Sequence, residues 1–222
     1  MLTLGIDDAG RGPLIGPMIL SGVLLNDKQE KELKKSKIAD SKTLYHNTRI
    51  SLSKLIKENS ISFKTIKTPA TEIDSSLASG TNLNTLEAKK TAQIINALNT
   101  KKDRIKVIID CPSVNINAWK NTLMKFVTNS SNLTVICEHK ADINHLSVSA
   151  ASIIAKVARE DEVSELKKQY GDFGSGYPSD PKTKEFLKKH GLSMENSGIF
   201  RKSWSTWKKL FPDKKQATLQ GF

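Results

Sequence analysis

The chain has 222 residues, of which 37% are hydrophobic, so it can form one domain with a small appendage and a buried core. No apolar run has the roughly 20 residues of a membrane-spanning helix, and no secretory signal pattern opens the chain, so we expect a cytoplasmic protein. The 35 Lys and Arg residues against 23 Asp and Glu give a net charge of +12. This balance favours a polyanionic partner, although a lysine-rich solvated surface has the same composition.

Three strands are predicted in the first third of the chain. Leu2–Ile6 and Met18–Leu25 are short apolar runs, and residues 61–67 alternate apolar and polar side chains. The polar segment between the second and third strands includes a predicted helix over residues 47–58. Three strands in succession can form an antiparallel meander.

Helices and strands then alternate. The predicted order is a helix at 85–98, a strand at 105–109, a helix at 118–127, a strand at 133–136 and a long helix at 148–168. Asn84 suits the N-cap of the first of these helices, and Glu87 three residues later would complete a capping box. The long helix begins with small apolar residues that suit tight packing against a sheet. The order βββαβαβα predicts an α/β fold with a mixed five-stranded sheet flanked by helices.

Residues 1–168 are therefore predicted to form the main domain, residues 169–211 a small helical appendage, and residues 212–222 a polar, mobile tail. The appendage has amphipathic stretches at 182–189 and 200–211. Trp204 and Trp207 fall at amphipathic positions there, which favours core packing.

The two cysteines, Cys111 and Cys137, lie far apart in the sequence on or beside predicted strands. Two buried free thiols are the favoured interpretation. Because no Cys/His cluster accompanies them, a structural zinc site is not expected.

Four aspartates carry the most chemical information. Asp7, Asp110 and Asp142 each stand at the end of, or just past, an apolar strand-like run, and Asp8 follows Asp7. Strand ends of this kind can converge at one edge of a sheet, where open α/β sheets bind ligands. Carboxylates gathered there repel one another unless a cation lies among them, and Mg²⁺ and Mn²⁺ prefer such oxygen ligands. Each acid alone could be an ordinary turn or capping residue, but together, in a basic chain, they favour metal-assisted phosphodiester chemistry.

Three further motifs have both a functional and an ordinary interpretation. Gly10-Arg11-Gly12 would let the backbone approach a ligand closely and Arg11 meet a phosphate, or it is a charged turn. Lys42 could contact a phosphate, or it is a solvated loop lysine. Tyr177, in a Gly/Pro loop, could stack on a sugar or base, or it anchors packing.

Five motifs in order resemble those of the type 2 ribonuclease H family (ribonuclease HII), in its archaeal and eukaryotic form. They lie at residues 7–17, 40–42, 82–88, 140–142 followed by 149–157, and 172–181, and the resemblance spans residues 2–207. It implies an RNase H-like fold and an endonuclease that cuts the RNA strand of RNA–DNA hybrids and incises at ribonucleotides embedded in DNA. It also implies two Mg²⁺ or Mn²⁺ ions and products with 3′-hydroxyl and 5′-phosphate ends.

The resemblance implies roles for individual residues. The four acids, Asp7, Asp8, Asp110 and Asp142, would ligate metal and act in catalysis. The backbone of residues 10–12 would read the 2′-hydroxyl at an RNA–DNA junction. Tyr177 would pack against the neighbouring deoxyribose, and Lys42 would contact phosphate.

One departure from the family pattern is at Asp8, where the family usually has Glu. The missing methylene pulls the carboxylate back by roughly 1.5 Å, and errors of about 1 Å can cost on the order of 100-fold in rate. We therefore expect altered metal preference or reduced activity. Two alternative functions remain. One is a non-catalytic protein that binds hybrids. The other is a sugar-kinase-like phosphotransferase, against which the length of this chain argues, because it leaves no room for the second nucleotide-binding half of such an enzyme.

The tail resembles the short clamp-binding peptide of replication and repair enzymes. Gln216, Leu219 and Phe222 match its spacing, with the two apolar side chains as anchors. The usual motif has two adjacent aromatic residues and this chain has one, which predicts weaker binding to a sliding clamp. Nothing in the sequence demands self-association, so a monomer is expected.

Overall fold

The computed structural model describes residues 1–36, 38 and 45–212. Lys42 and the tail residues Gln216, Leu219 and Phe222 therefore lie outside the described residues. Within them, the strands are β1 (Leu2–Ala9), β2 (Met18–Asn26), β3 (Ser62–Thr68), β4 (Ile105–Asp110) and β5 (Leu133–Glu138).

These strands form one sheet with the order β3-β2-β1-β4-β5. β1 is antiparallel to β2 and parallel to β4, and β4 is parallel to β5. The predicted mixed five-stranded sheet is confirmed. β1 is longer than predicted, because its backbone pairing continues through Asp7 and Asp8, which face Ser21 and Leu20 across the ladder. The two acids are thus the last part of the strand and do not follow it.

The helices of the described residues belong to both the sheet-containing part and the C-terminal part of the chain. They are α1 (Asp27–Lys34), α2 (His46–Asn59), α3 (Ala70–Ala78), α4 (Leu83–Leu98), α5 (Ile116–Met124), α6 (Ala141–Asn144), α7 (Leu146–Tyr170), α8 (Pro181–His190) and α9 (Ser205–Leu210). No helix of the described chain is long and apolar enough to cross a membrane.

Three of these helices, α1, α3 and α6, were not predicted. In α1 only Leu33 is buried, so no apolar stripe marks it, and a reciprocal capping box between Asn26 and Gln29 defines its start. The predicted helix over 200–211 was too long, because only α9 within it is helical.

The N-cap prediction for α4 was wrong. Asn82, and not Asn84, accepts a hydrogen bond from the Thr85 N–H at 2.9 Å. Glu87 therefore lies beyond the capping position and is buried, with 2% of its surface exposed.

The described residues divide into two compact units. The sheet unit comprises Met1–Ala9, Ile19–Lys67 and Asn82–Arg159, and the C-terminal unit comprises Gly10–Met18, Thr68–Thr81 and the residues from Glu160 onward. The division into 1–168, 169–211 and 212–222 stays a prediction.

Each unit has its own core. In the sheet unit, the small residues at the start of α7 lie directly against the sheet, and a side chain at Gly5 would overlap the backbone of Ser147. This contact explains the run of Ala and Ser in that helix. The C-terminal unit is built around Phe173, Phe200 and Trp207.

Both cysteines are free thiols, as predicted. Cys111 is buried, whereas Cys137 is only partly buried. Burial and the neighbouring Cys111 raise the pKa of Cys137 to about 12. This thiol therefore stays protonated and unreactive at neutral pH.

Candidate active site

The carboxyl ends of β1 and β4 bring two of the predicted acids together. The strands are parallel neighbours in which Ile6 pairs with Ile109, so the next residues in register are Asp7 and Asp110. Asp8 follows on the same strand and donates its backbone N–H to Asp7 Oδ1 at 2.8 Å. Asp7 is buried, while Asp8 and Asp110 are partly exposed.

The ionised form of Asp7 is disfavoured at this strand end. Burial raises the pKa of Asp7 to about 8, and the negative charges of Asp8 and, more weakly, Asp110 add to the increase. The Ser152 hydroxyl and the Asp8 N–H act in the opposite direction. At neutral pH the Asp7 carboxyl therefore keeps its proton unless a positive charge arrives to stabilise the ionised form.

A small cavity of about 10 Å³ lies at this strand end. Its lining includes Asp7, Asp8 and Asp110 from the strands, and Glu87 and Trp119 from α4 and α5. This volume is about the space of one water molecule. Glu87 was missed as a site residue by the sequence reasoning.

Asp142 is connected to this group through the backbone. It stands in the first turn of α6, and the N–H of the preceding Ala141 donates to Asp110 Oδ1 at 3.2 Å. The Asp142 side chain is buried and lines a cavity of about 530 Å³ together with Glu30 and His145. Its predicted role as a metal ligand stays a prediction.

The donor set fits a hard divalent cation in chemistry. Within residues 1–36, 38 and 45–212, no group of three His, Cys, Asp or Glu side chains is already arranged to hold an ion. Mg²⁺ does not require such a cage, because it is commonly bound by one or two carboxylates and completed by water and substrate phosphates. A cation beside Asp7 would also stabilise the ionised carboxylate, which burial and the neighbouring Asp8 and Asp110 disfavour.

The two histidines that flank Asp142 in sequence have other partners. His139 Nδ1 lies 3.1 Å from the Cys111 carbonyl oxygen, and His145 Nε2 lies 2.7 Å from Glu138 Oε1. Both rings therefore make hydrogen bonds of the kind that ordinary polar residues make.

The Gly10-Arg11-Gly12 turn belongs to the C-terminal unit, where Tyr177 lies beside it. A methyl group added to Gly12 would be 3.5 Å from Tyr177 Cε1, so the ring faces the open side of the glycine. The Tyr177 side chain keeps 39% of its surface exposed. The two motifs are far apart in the sequence and are neighbours in the structure.

The loop that carries Tyr177 is held firmly. The carbonyl of Gly176 accepts from Leu14 N–H at 2.8 Å and from Ile15 N–H at 3.2 Å. Gly176 has φ +79°, and a side chain there would also press on the Ile15 carbonyl, so glycine is required. Hydrogen bonds from Ser175 and Lys182 lower the pKa of Asp180, which caps α8, to about 2.

The family model for ribonuclease HII matches residues 4–207, nearly the whole chain. The chain belongs to the ribonuclease HII family. Ribonuclease HII from Methanococcus maripaludis strain C6 is 41% identical over 215 residues, which cover 96% of this chain and 88% of the relative. As a member of this family of metal-dependent endoribonucleases, the chain is a hydrolase that acts on RNA–DNA hybrids.

Solved ribonuclease HII structures have the same fold. The ribonuclease H2 of Pyrococcus horikoshii OT3 has a TM-score of 0.83 and 36% identity, covering 95% of this chain and 97% of that one. The ribonuclease HII in the PCNA:RNase HII complex from Archaeoglobus fulgidus has a TM-score of 0.81 and 35% identity, covering 92% and 96%. The predicted RNase H-like fold is thereby confirmed, and the phosphotransferase alternative is set aside.

Proposed function

We propose that this ribonuclease HII cleaves the RNA strand of RNA–DNA hybrids and also incises 5′ of single ribonucleotides in duplex DNA, leaving 3′-hydroxyl and 5′-phosphate ends. The observation that carries the proposal is the buried Asp7 beside Asp8 and Asp110 at the carboxyl ends of adjacent parallel strands. Mutually repelling carboxylates at such an edge suit divalent-metal chemistry on a phosphodiester.

Four acids, Asp7, Asp8, Asp110 and Asp142, would hold two Mg²⁺ or Mn²⁺ ions. When bound, the ions would supply Lewis acidity to the attacking water and to the leaving 3′-oxygen. Asp7 would give up its proton when it takes on this role, because its pKa lies near 8 only in the absence of a cation. The Ala141 N–H orients Asp110 by donating to its Oδ1.

Substrate recognition would rest on Gly10-Arg11-Gly12 and Tyr177. The backbone of the turn would contact the 2′-hydroxyl, which is the group that separates RNA from DNA. The exposed ring of Tyr177 would pack on the adjoining deoxyribose, and Lys42 would contact a phosphate. The net charge of +12 would hold the duplex by its backbone with little sequence preference.

Asp8 is the point at which this chain departs from the family pattern. A carboxylate drawn back by one methylene would weaken the metal site or change the preferred ion. If metal binding were lost completely, the protein would bind hybrids without cutting them. Cleavage and binding assays distinguish this alternative from the nuclease.

The C-terminal tail would bind a sliding clamp through Gln216, Leu219 and Phe222. The support is the spacing of these residues together with the complex of PCNA with the Archaeoglobus fulgidus ribonuclease HII. We propose a cytoplasmic protein that acts as a monomer.

The test is cleavage of a DNA duplex carrying one ribonucleotide, with Mg²⁺ and with Mn²⁺, alongside the same duplex without the ribonucleotide. We expect one cut 5′ of the ribonucleotide and none in the control duplex. Asp110→Asn should abolish the cut, and Asp8→Glu should accelerate it. An intact ribonucleotide duplex with both ions, accompanied by tight binding in a gel shift, would support the non-catalytic alternative.

A further inference from the structure

Arg201 is a fully buried arginine whose guanidinium donates to three carbonyl groups of the loop at residues 10–16. Its Nη2 donates to Gly10 O at 2.6 Å, its Nη1 to Arg11 O at 2.7 Å and its Nε to Gly16 O at 3.0 Å. A buried guanidinium is costly unless its N–H groups are satisfied. The rigid fork of arginine satisfies three separate carbonyls, which an ammonium group cannot do in the same geometry.

Trp204 completes the contact with this turn. Its Nε1 donates to Gly12 O at 3.1 Å, and its ring covers the Arg201 guanidinium at 5.0 Å. The carbonyl groups of three consecutive residues, Gly10, Arg11 and Gly12, are therefore all held by two side chains. Trp204 was predicted to pack in the core; its ring is partly buried against the C-terminal core, and its indole N–H has this specific partner.

The hydrogen bonds to the carbonyls fix the direction of the N–H groups. The peptide bonds of the described residues are trans, so each carbonyl points away from the next N–H in the chain. With the Gly10 and Arg11 carbonyls turned toward Arg201, the N–H groups of Arg11 and Gly12 point to the opposite side. The next residue, Pro13, has no N–H.

The segment that carries Arg201 and Trp204 is itself anchored. Asp74, on α3, accepts from the backbone N–H of Lys202 at 2.7 Å and from that of Ser203 at 3.0 Å, and the Ser203 hydroxyl donates to it as well. The residues between the arginine and the tryptophan therefore have little freedom. This rigidity is what a support for a recognition element requires.

We propose that Arg201 and Trp204 are positioning residues that aim the Arg11 and Gly12 N–H groups at the 2′-hydroxyl of the substrate and so set discrimination between ribo- and deoxyribonucleotides. This inference rests on the proposed function. Neither side chain has to touch the substrate, because both act through the carbonyls of the turn.

The test uses Trp204→Phe, with Trp207→Phe as the matched control. Both changes remove an indole from the same unit, but Trp207 packs between Phe200 and Phe211 in the core. The readout is the ratio of the dissociation constants for an all-DNA duplex and for the same duplex with one ribonucleotide, measured in EDTA so that nothing is cleaved. Hydrogen exchange at residues 10–12 is measured on the same samples.

Trp204→Phe should lower the discrimination ratio by about five-fold, the usual effect of one lost hydrogen bond, and should speed exchange at residues 10–12. Trp207→Phe should lower the melting temperature and leave the ratio unchanged. Arg201→Lys should reduce the discrimination ratio further than Trp204→Phe does. If Arg201→Lys does not fold, the result for Trp204→Phe alone tests the proposal.

A wild-type protein that prefers the ribonucleotide duplex, with a ratio unchanged in Trp204→Phe, would overturn the positioning role alone. A wild-type protein that shows no preference would overturn the positioning role together with the proposed reading of the 2′-hydroxyl by residues 10–12, whereas failure of the cleavage test would overturn the proposed function itself. Loss of discrimination in both tryptophan variants would mean that general stability, and not the bond to Gly12, is responsible.

Discussion

The end of the sheet at Asp7 and the turn at residues 10–12 are adjacent in sequence but opposite in energetics. At the sheet end, burial and like charges raise the pKa of Asp7, so the unliganded state is strained electrostatically. At the turn, every carbonyl from Gly10 to Gly12 has a donor, and the buried Arg201 donates to two of these carbonyls and to that of Gly16. Under the proposed function, the first region needs a cation to stabilise its ionised form, whereas the second is ordered by its own hydrogen bonds.

This contrast suggests how the two tasks of a nuclease are divided. Catalytic carboxylates gain from being destabilised, because a metal ion then binds with the free energy that relieves their repulsion. A recognition element gains from rigidity, because a flexible backbone would lose discrimination for a single hydroxyl group.

The largest effect is expected from Asp7→Asn. An amide cannot supply the negative charge that a divalent ion requires. Loss of a residue that only orients a metal ligand costs up to about 100-fold in activity, so loss of a ligand itself should lower the cleavage rate by more than this. Initial rates on the single-ribonucleotide duplex measure this loss. The variant should be at least as heat-stable as the wild type in EDTA, and a folding defect in place of this would contradict the proposed role.

Restoring the longer acid with Asp8→Glu should raise the cleavage rate by up to about 100-fold, because the carboxylate would regain its reach toward the metal. The measurement is kcat with each ion separately. Asp8→Asn serves as the paired control and should lower the rate. Equal rates in the Glu, Asp and Asn forms would show that position 8 takes no part.

A moderate effect on stability is expected from pH in EDTA. The pKa of Asp7 is raised by folding, so its contribution to stability is complete below about pH 4 and is lost as the pH rises to about 8. The melting temperature of the wild type should therefore fall across this window by more than that of Asp7→Asn. Added Mg²⁺ should raise the wild-type melting temperature most at the alkaline end. If the melting temperatures of the two proteins changed with pH by the same amount, Asp7 would not be the group that titrates in this range.

The smallest effect on catalysis is expected from deleting residues 216–222. Association with a sliding clamp should be lost, while cleavage of free substrate should not change. A tail of the same length in which Leu219 and Phe222 are replaced by Ala is the matched control for length. Retained clamp association in the deletion variant would show that the tail is not the binding segment.

The sequence was sufficient to predict that Asp7 and Asp110 lie together at one end of the sheet. The strands around Asp7 and Asp110 are short apolar runs, and their polar ends stand out against that background. The strand boundaries were less predictable, since β1 continues through Asp7 and Asp8 by backbone pairing that does not depend on the polarity of the side chain.

The supporting residues were harder to find. Glu87 follows the same helical spacing as Thr91 and Ile94 on the buried face of α4, and a single acid on that face was a signal that the capping interpretation hid. Arg201 gave no such signal. Its partners lie about 190 positions away, and they are backbone carbonyls, which every residue type has, so no residue at those positions indicates the contact. Only the fold brings such a pair together.

The most direct test of the metal site is calorimetric titration of the protein with Mn²⁺ at pH 7 in buffers of different ionisation enthalpy. If the Asp7 carboxyl is protonated in the free protein and ionised beside a cation, binding should release about one proton, and this release should disappear in Asp7→Asn. Binding of Mn²⁺ without proton release in the wild type, or with the same release in the variant, would contradict the assignment of Asp7 to the metal site.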